Sequence, residues 1–256
     1  MSLTILKSLL KKNALLYWIF TAVIVGYFFL SILMFPLVQQ LFENMPPAFA
    51  DLFGDTTVTG YTAMLFGELV WPFGMILFIM LVFRTIYKPV DSGSLSTHLM
   101  GGVSRNKYMI TACVFLALKL IIMFVLILTV TLISFAILGE EFVFIDFFAS
   151  SLLSMLALTA VVFISFMLGA IFAGKKMALG LLIGIPVAFL IVLMIAGIHS
   201  SVEFFRWVSV FGWFNPSEVA AGDFGLWWLV AIGYVLAAVS CAIFATTIFK
   251  KKNLSL

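Results

Sequence analysis

Charge is what this chain has least of. Asp, Glu, Lys and Arg make up 10% of its 256 residues, and the mean hydropathy is +1.26. Soluble chains are about 25% charged, so a water-facing globular domain is excluded. Histidine is reduced to His98 and His199, and cysteine to Cys113 and Cys241. Both cysteines fall in apolar runs, which fits packing and not a disulfide framework. No HExxH occurs, and no pair of carboxylates lies within an apolar run. That leaves no constellation for metal-assisted hydrolysis or nucleophilic catalysis. The chain does not read as an enzyme, and no cofactor or nucleic-acid partner is expected for it. Alternation of period two does not recur, so a β-barrel is excluded as well.

What the chain has is long apolar runs, several near the roughly 20 residues needed to cross a bilayer. Six candidate spans cover residues 15–37, 62–83, 109–138, 147–173, 178–198 and 225–248. The expected fold class is therefore an all-α polytopic membrane protein, in contact with lipid and forming one transmembrane domain. A cleaved signal peptide is not expected. The run from Ala14 to Val38 is too long for a signal core, and Ala48-Phe49-Ala50 lies well beyond it.

Positive charge alternates along the chain. Lys7, Lys11 and Lys12 precede the first span; Arg84, Lys88, Arg105 and Lys107 flank the loop after the second. Lys175 and Lys176 follow the fourth span, and Lys250, Lys251 and Lys252 follow the sixth. The opposite side carries Glu43, Asp51, Asp55, Glu140, Glu141, Asp146, Glu203, Glu218 and Asp223, with Arg206 its only Arg or Lys. The positive-inside rule then puts both termini in the cytoplasm. Leu3, Leu6 and Leu10 share a helical face, with Lys7 and Lys11 elsewhere on the wheel, so residues 1–14 read as an interfacial helix preceding the first span. Most tryptophans fall near span ends, as an aromatic belt requires.

Residues 199–224 are too aromatic for a solvated linker and too interrupted for a span. Short re-entrant or interfacial helices capping the outer side are expected, with Asn215-Pro216 as a turn and Ser217 as N-cap. Gly169 to Lys176 nearly spells a phosphate-binding loop. It has Lys176 where the hydroxyl residue belongs, and it ends a membrane helix where the motif joins strand to helix. Two ionisable residues fall inside spans, Glu68 and Lys119, and intramembrane charges are functional candidates by default. Both are also near enough to an interface to snorkel. Gly180 and Gly184 form a GxxxG that permits close helix packing, and Pro72 and Pro186 are expected to kink their spans.

The stretch RTIYKPVDSGSLSTHLMGGVSRNKY, residues 84–108, is polar and rich in small residues. Pro89 is expected to stop the second span, Asp91 or Ser92 to cap a new helix, and Gly101-Gly102 to end it. Leu95, His98 and Leu99 share a face at i, i+3 and i+4. Ser104 is placed to cap the third span. The result is a two-turn cytosolic helix over about residues 92–101, marginal in water unless it docks on something.

Here the chain resembles the ABC-2 type permeases of ATP-binding-cassette exporters. Gly93-Ser94-Leu95, Leu99 and Val103-Ser104-Arg105 follow the order of that family's first cytoplasmic loop, with Gly102 where proline is frequent. The layout of N-terminal interface helix, six spans and structured outer segment also matches. The resemblance implies a coupling helix docked on a separate ATPase, present in two copies, which would hold the ATP and Mg. It implies a second permease copy, identical or related. Ser94, Leu95, His98, Leu99, Met100 and Arg105 would form the coupling surface, with Leu95, Leu99 and Met100 in the ATPase groove and His98 at its rim. Small permeases of this type are similar to exporters of amphipathic peptides, such as those for phenol-soluble modulins, and to peptide-immunity proteins. A hydrophobic or amphipathic cargo, peptide or drug-like, is the expectation. The rivals are an ATP-independent immunity or scaffold protein, and an ion-coupled carrier relying on Glu68 and Lys119.

Overall fold

A computed structural model describes residues 2–43, 57–95, 103–139, 143–175, 177–198, 200–223 and 225–251. The described residues are helical with no strand, and six helices are long and apolar enough to cross a membrane. They are Leu3–Leu33, Val58–Asp91, Arg105–Leu138, Phe144–Phe172, Ala178–Ala196 and Trp227–Lys251, hereafter the first to sixth spans. This is an all-α polytopic membrane protein.

The second and fourth spans form the centre, each with 67% of its apolar window buried, against 17–33% for the other four. Composition explains the fourth. Its buried positions include Ala149, Ser150, Ser154, Ala157, Ala160 and Gly169, small residues that let neighbouring backbones approach. The second, fifth and sixth spans all pack on it. Gly74 of the second span marks the tightest approach: a Cβ there would stand 2.9 Å from a terminal methyl of Leu158. Two serine hydroxyls in this core return to the helix's own carbonyls, Ser154 to Ser150 and Ser165 to Val161, so those two cost little where no water reaches.

The first span differs from its expected form. It is one uninterrupted helix from Leu3 to Leu33, with no turn between an interfacial piece and a membrane piece. The face it buries is Ile5, Leu9, Asn13, Tyr17, Thr21, Ile24, Phe28 and Ile32, a stripe spaced by fours and threes that lies on the third span. Leu3 is exposed and Leu6 and Leu10 are half-buried, so the leucine face is not the one that packs; Lys7 and Lys11 point outward. The helix breaks at Met34 instead. Pro36 has no N–H for the Ile32 carbonyl, and a new helix, Phe35–Glu43, starts there.

The second span also runs past its expected stop. Pro72 and Pro89 do not end it. Each is preceded by a π-helical turn, Phe66–Val70 and Phe83–Tyr87, in which the N–H of the residue before the proline reaches five residues back. Trp71 bonds to the Phe66 carbonyl and Lys88 to that of Phe83. Widening the helix by one residue accommodates the proline ring without breaking the rod. The third span starts as expected, with the Ser104 hydroxyl accepting the Lys107 N–H at 3.3 Å, and ends on Gly139 at φ 72°.

On the acidic side, Ser200–Val208 and Val210–Trp213 are 3₁₀ turns and Pro216–Ala220 is a short helix. Asn215, not Ser217, is the N-cap: its side-chain oxygen accepts the Ser217 N–H at 3.2 Å. Three bonds fasten this cap to three spans. Ser150 Oγ donates to the Pro216 carbonyl, Ser209 Oγ to that of Phe189, and Tyr234 Oη to that of Val210, each at 2.7 Å. Within the cap, Arg206 Nε donates to the Gly212 carbonyl at 2.8 Å. Trp213 stacks on Tyr234 with centroids 5.0 Å apart, which adds an aromatic contact to the sixth span.

Candidate functional site

Two regions carry chemistry beyond packing: the turn after the second span, and the surroundings of Glu68. In the first, Pro89 leaves the Thr85 carbonyl, four residues back, without its usual helical donor. The Tyr108 hydroxyl of the third span donates to that carbonyl at 2.7 Å, and Tyr108 is buried. Thr85 Oγ1 in turn donates to the Leu81 carbonyl at 2.6 Å. The second and third spans are thus clipped together one turn above the loop.

The loop then leaves the helix through Ser92, whose Oγ donates to the Lys88 carbonyl at 2.8 Å and lies 3.0 Å from Ser94 Oγ. Gly93 turns it with φ 67°, a conformation that disfavours any side chain. Ser94 and Leu95 resume helical geometry. Leu95 is 1% exposed and belongs to the chain's own apolar core. It anchors the loop to this subunit and does not present itself to a partner, which corrects its expected place in an ATPase groove. His98, Leu99 and Met100, with the rest of the expected helix, lie outside the described residues. Arg105 is half-buried in the first turn of the third span.

Lys119 is 4% exposed, on the third span against the first. Its Nζ lies 3.8 Å from the Tyr17 ring centroid and 5.3 Å from that of Trp18, and the Tyr17 hydroxyl donates to the Lys119 carbonyl at 2.8 Å. A cation on two aromatic faces, with no carboxylate opposite, is a staple between helices. Lys119→Met should lower stability by about 1 kcal/mol, read as a fall in the thermal unfolding midpoint; an unchanged midpoint would show that the cation does not hold the two helices together.

Glu68 sits in the π turn of the second span, exposed, while Phe66, Leu69 and Val70 around it are buried. It lines two cavities, one of about 810 Å³ under the outer cap and one of about 380 Å³ between the first and second spans. The larger also takes Trp71, Glu203, Arg206 and Asn215 into its wall; Trp71 and Phe211 make its floor aromatic. Glu68 and Lys119 do not meet: one opens under the outer cap and the other is stapled to the first span's Tyr17. Trp71 is 2% exposed, enclosed between the second span, the fourth span and the outer cap.

The GxxxG of the fifth span packs against nothing described. A Cβ at Gly180 or Gly184 would meet no atom within 4 Å, so the expected packing role is not exercised within this chain. The loop resembling a nucleotide site is the turn between the fourth and fifth spans, with Gly174 at φ 79° and Lys175 Nζ 5.8 Å from the Phe172 ring. Among the described residues no three His, Cys, Asp or Glu side chains gather as a metal site, and Cys113 and Cys241 are free thiols.

No family model, no curated protein and no solved structure matches this chain. The site geometry therefore carries the functional reading. Sequence reasoning missed the Tyr108–Thr85 clip; a threonine four residues before a proline was its signal, but the donor is remote in sequence. It also missed Tyr27 and Tyr61, which share the smaller cavity with Glu68.

Proposed function

We propose that this chain is the transmembrane permease subunit of an ATP-binding-cassette exporter, multi-pass in the plasma membrane with both termini cytoplasmic. A separate ATPase, in two copies and carrying ATP and Mg, drives it through the loop between the second and third spans. Two permease copies face one another, and the cargo is hydrophobic or amphipathic.

The observation that supports this most is how the loop is attached. Force applied to a loop on two free helices dissipates in bending. Here the Tyr108 bond to Thr85 joins the two helices, and Leu95 pins the loop's first turn into the bundle core. The second span, to which the loop is continuous, is central and reaches the outer cap through Trp71. A push at residues 92–105 would therefore move the core as one body. The carrier reading lacks such support, because Glu68 and Lys119 occupy separate environments.

The test is co-purification. Tagged protein extracted gently from native membranes should bring a P-loop ATPase in near-stoichiometric amount. Leu99→Asp, a charge placed in an apolar contact, should abolish that association at unchanged thermal stability. Export and association that survive Leu99→Asp would reject this loop as the drive point. Leu95 does not serve this purpose, because an aspartate in its core position would unfold the subunit first.

A further inference from the structure

The smaller cavity at Glu68 is graded along its length. The ring contact Phe28–Phe66, at 5.2 Å, sets the antiparallel register of the first and second spans, and Phe35, just past the end of the first span, meets Tyr61 at 5.5 Å. That register brings Tyr27 level with Glu68. Ser31 and Tyr61 line the cleft further out, and Val23, Leu69 and Phe73 line it toward the bilayer centre. Phe73 is five residues beyond Glu68, or about 7.5 Å along the helix. One end is thus polar, acidic and aromatic, and the other is wholly apolar.

The carboxylate at the polar end is unused by the fold. Among the described residues no hydrogen bond or ion pair reaches Glu68, whereas Arg206 and Ser209 of the outer cap donate to backbone carbonyls. The helix around it is widened by a π turn, a feature frequent at functional positions. A cation entering the cleft would meet Glu68 together with the rings of Tyr27 and Tyr61, both suited to cation–π contact. An attached hydrocarbon would lie along Val23, Leu69 and Phe73. A neutral or anionic head gains nothing from this arrangement. The wider vestibule beside it, ending at Glu203 and Arg206, offers a way to the outer side.

We propose that the cleft between the first and second spans binds amphiphiles with a cationic head, the head at Glu68 between Tyr27 and Tyr61 and the apolar body below. This rests on the permease reading and names the class of cargo that such a permease would take.

The experiment uses the full-length chain in phosphatidylcholine nanodiscs without any ATPase. Two probes are compared: a dansyl-labelled alkyl chain ending in a primary ammonium, and its hydroxyl-ended match, with binding to empty discs subtracted. The ammonium probe should bind about tenfold more tightly, and Glu68→Gln should bring the two within about twofold. A diazirine form of the ammonium probe should label peptides within residues 23–31 or 61–73. Equal binding of the two probes by the unaltered chain overturns the proposal. So does a preference that survives Glu68→Gln, or labelling confined to other spans. If Glu68→Gln does not fold, the probe preference and the labelled peptide decide alone. Failure here leaves the ATPase association untouched, and failure of that association leaves this binding to stand or fall by itself.

Discussion

Trp71→Ala is expected to destabilise the protein by about 3–5 kcal/mol, the largest loss from any single truncation in this bundle. Trp71 is 2% exposed and makes three kinds of contact at once. Its ring stacks on Phe211 at 4.7 Å and meets Phe214 edge-on at 6.0 Å, while Nε1 donates to the Ser154 carbonyl at 3.1 Å. It therefore joins the second span, the fourth span and the outer cap. Alanine would leave a cavity at their junction and a cap held only from its rim. Cys113 and Cys241 are half-buried free thiols, so a dye that fluoresces on thiol reaction reports unfolding on heating. Trp71→Phe keeps a ring but loses the indole donor, and should cost about 1–2 kcal/mol. A Trp71→Ala protein within about 1 kcal/mol of the parent would mean that the cap is not held through this residue.

Gly212→Ala should be nearly as damaging, for the opposite reason. A Cβ at Gly212 would collide with the Arg206 carbonyl oxygen and stand 2.7 Å from Arg206 Cγ. The colliding atom is backbone, so no rotamer relieves it, and the turn between the two 3₁₀ segments must open. Opening it breaks the Arg206 Nε bond to the Gly212 carbonyl and shifts Val210, whose carbonyl accepts from Tyr234. The expected loss is about 2–4 kcal/mol, with the half-buried Trp213 becoming more accessible to an aqueous quencher. Unchanged quenching and stability would show that the chain avoids this close approach. The two substitutions act on the same unit, so their effects should fall short of additive when combined.

The functional reading and these stability effects meet in the second span. It begins under the cap on the acidic side, carries Glu68 and Trp71 in and beside one π turn, and passes a second π turn before the loop to the third span. Two prolines that would ordinarily hinge a helix are absorbed by added residues in the turns before them. The rod stays continuous from the acidic side of the chain to the basic side, which is what transmission from a loop to an outer cleft requires.

Six spans and their order were legible in the sequence because each depends on a local quantity, the length of an apolar run. The Ser104 cap was legible for the same reason, since an N-cap needs only its own three or four residues. Segment ends were less legible where proline was taken as a stop. Pro89 reads as a terminator in a window of sequence, yet the Tyr108 hydroxyl, 23 residues along the chain from Thr85, satisfies the Thr85 carbonyl that the proline strands. Likewise Leu3, Leu6 and Leu10 share a face, but the third span packs on Ile5 and Leu9 because the long stripe through Tyr17 and Phe28 sets the helix's rotation.

By itself the sequence determined the fold class, the number of spans, the alternation of charge and the two intramembrane ionisable residues. Those follow from hydrophobicity and length, which a bilayer reads one segment at a time. Only the tertiary structure decided what those residues do: Lys119 is stapled on Tyr17 and Trp18, Leu95 is turned into the core, and Glu68 is left open beside Tyr27 and Tyr61. Every one of these depends on which helix lies alongside which and at what rotation. In a membrane that choice is made by close packing and hydrogen bonds between segments, not by the hydrophobic pattern that defines the segments.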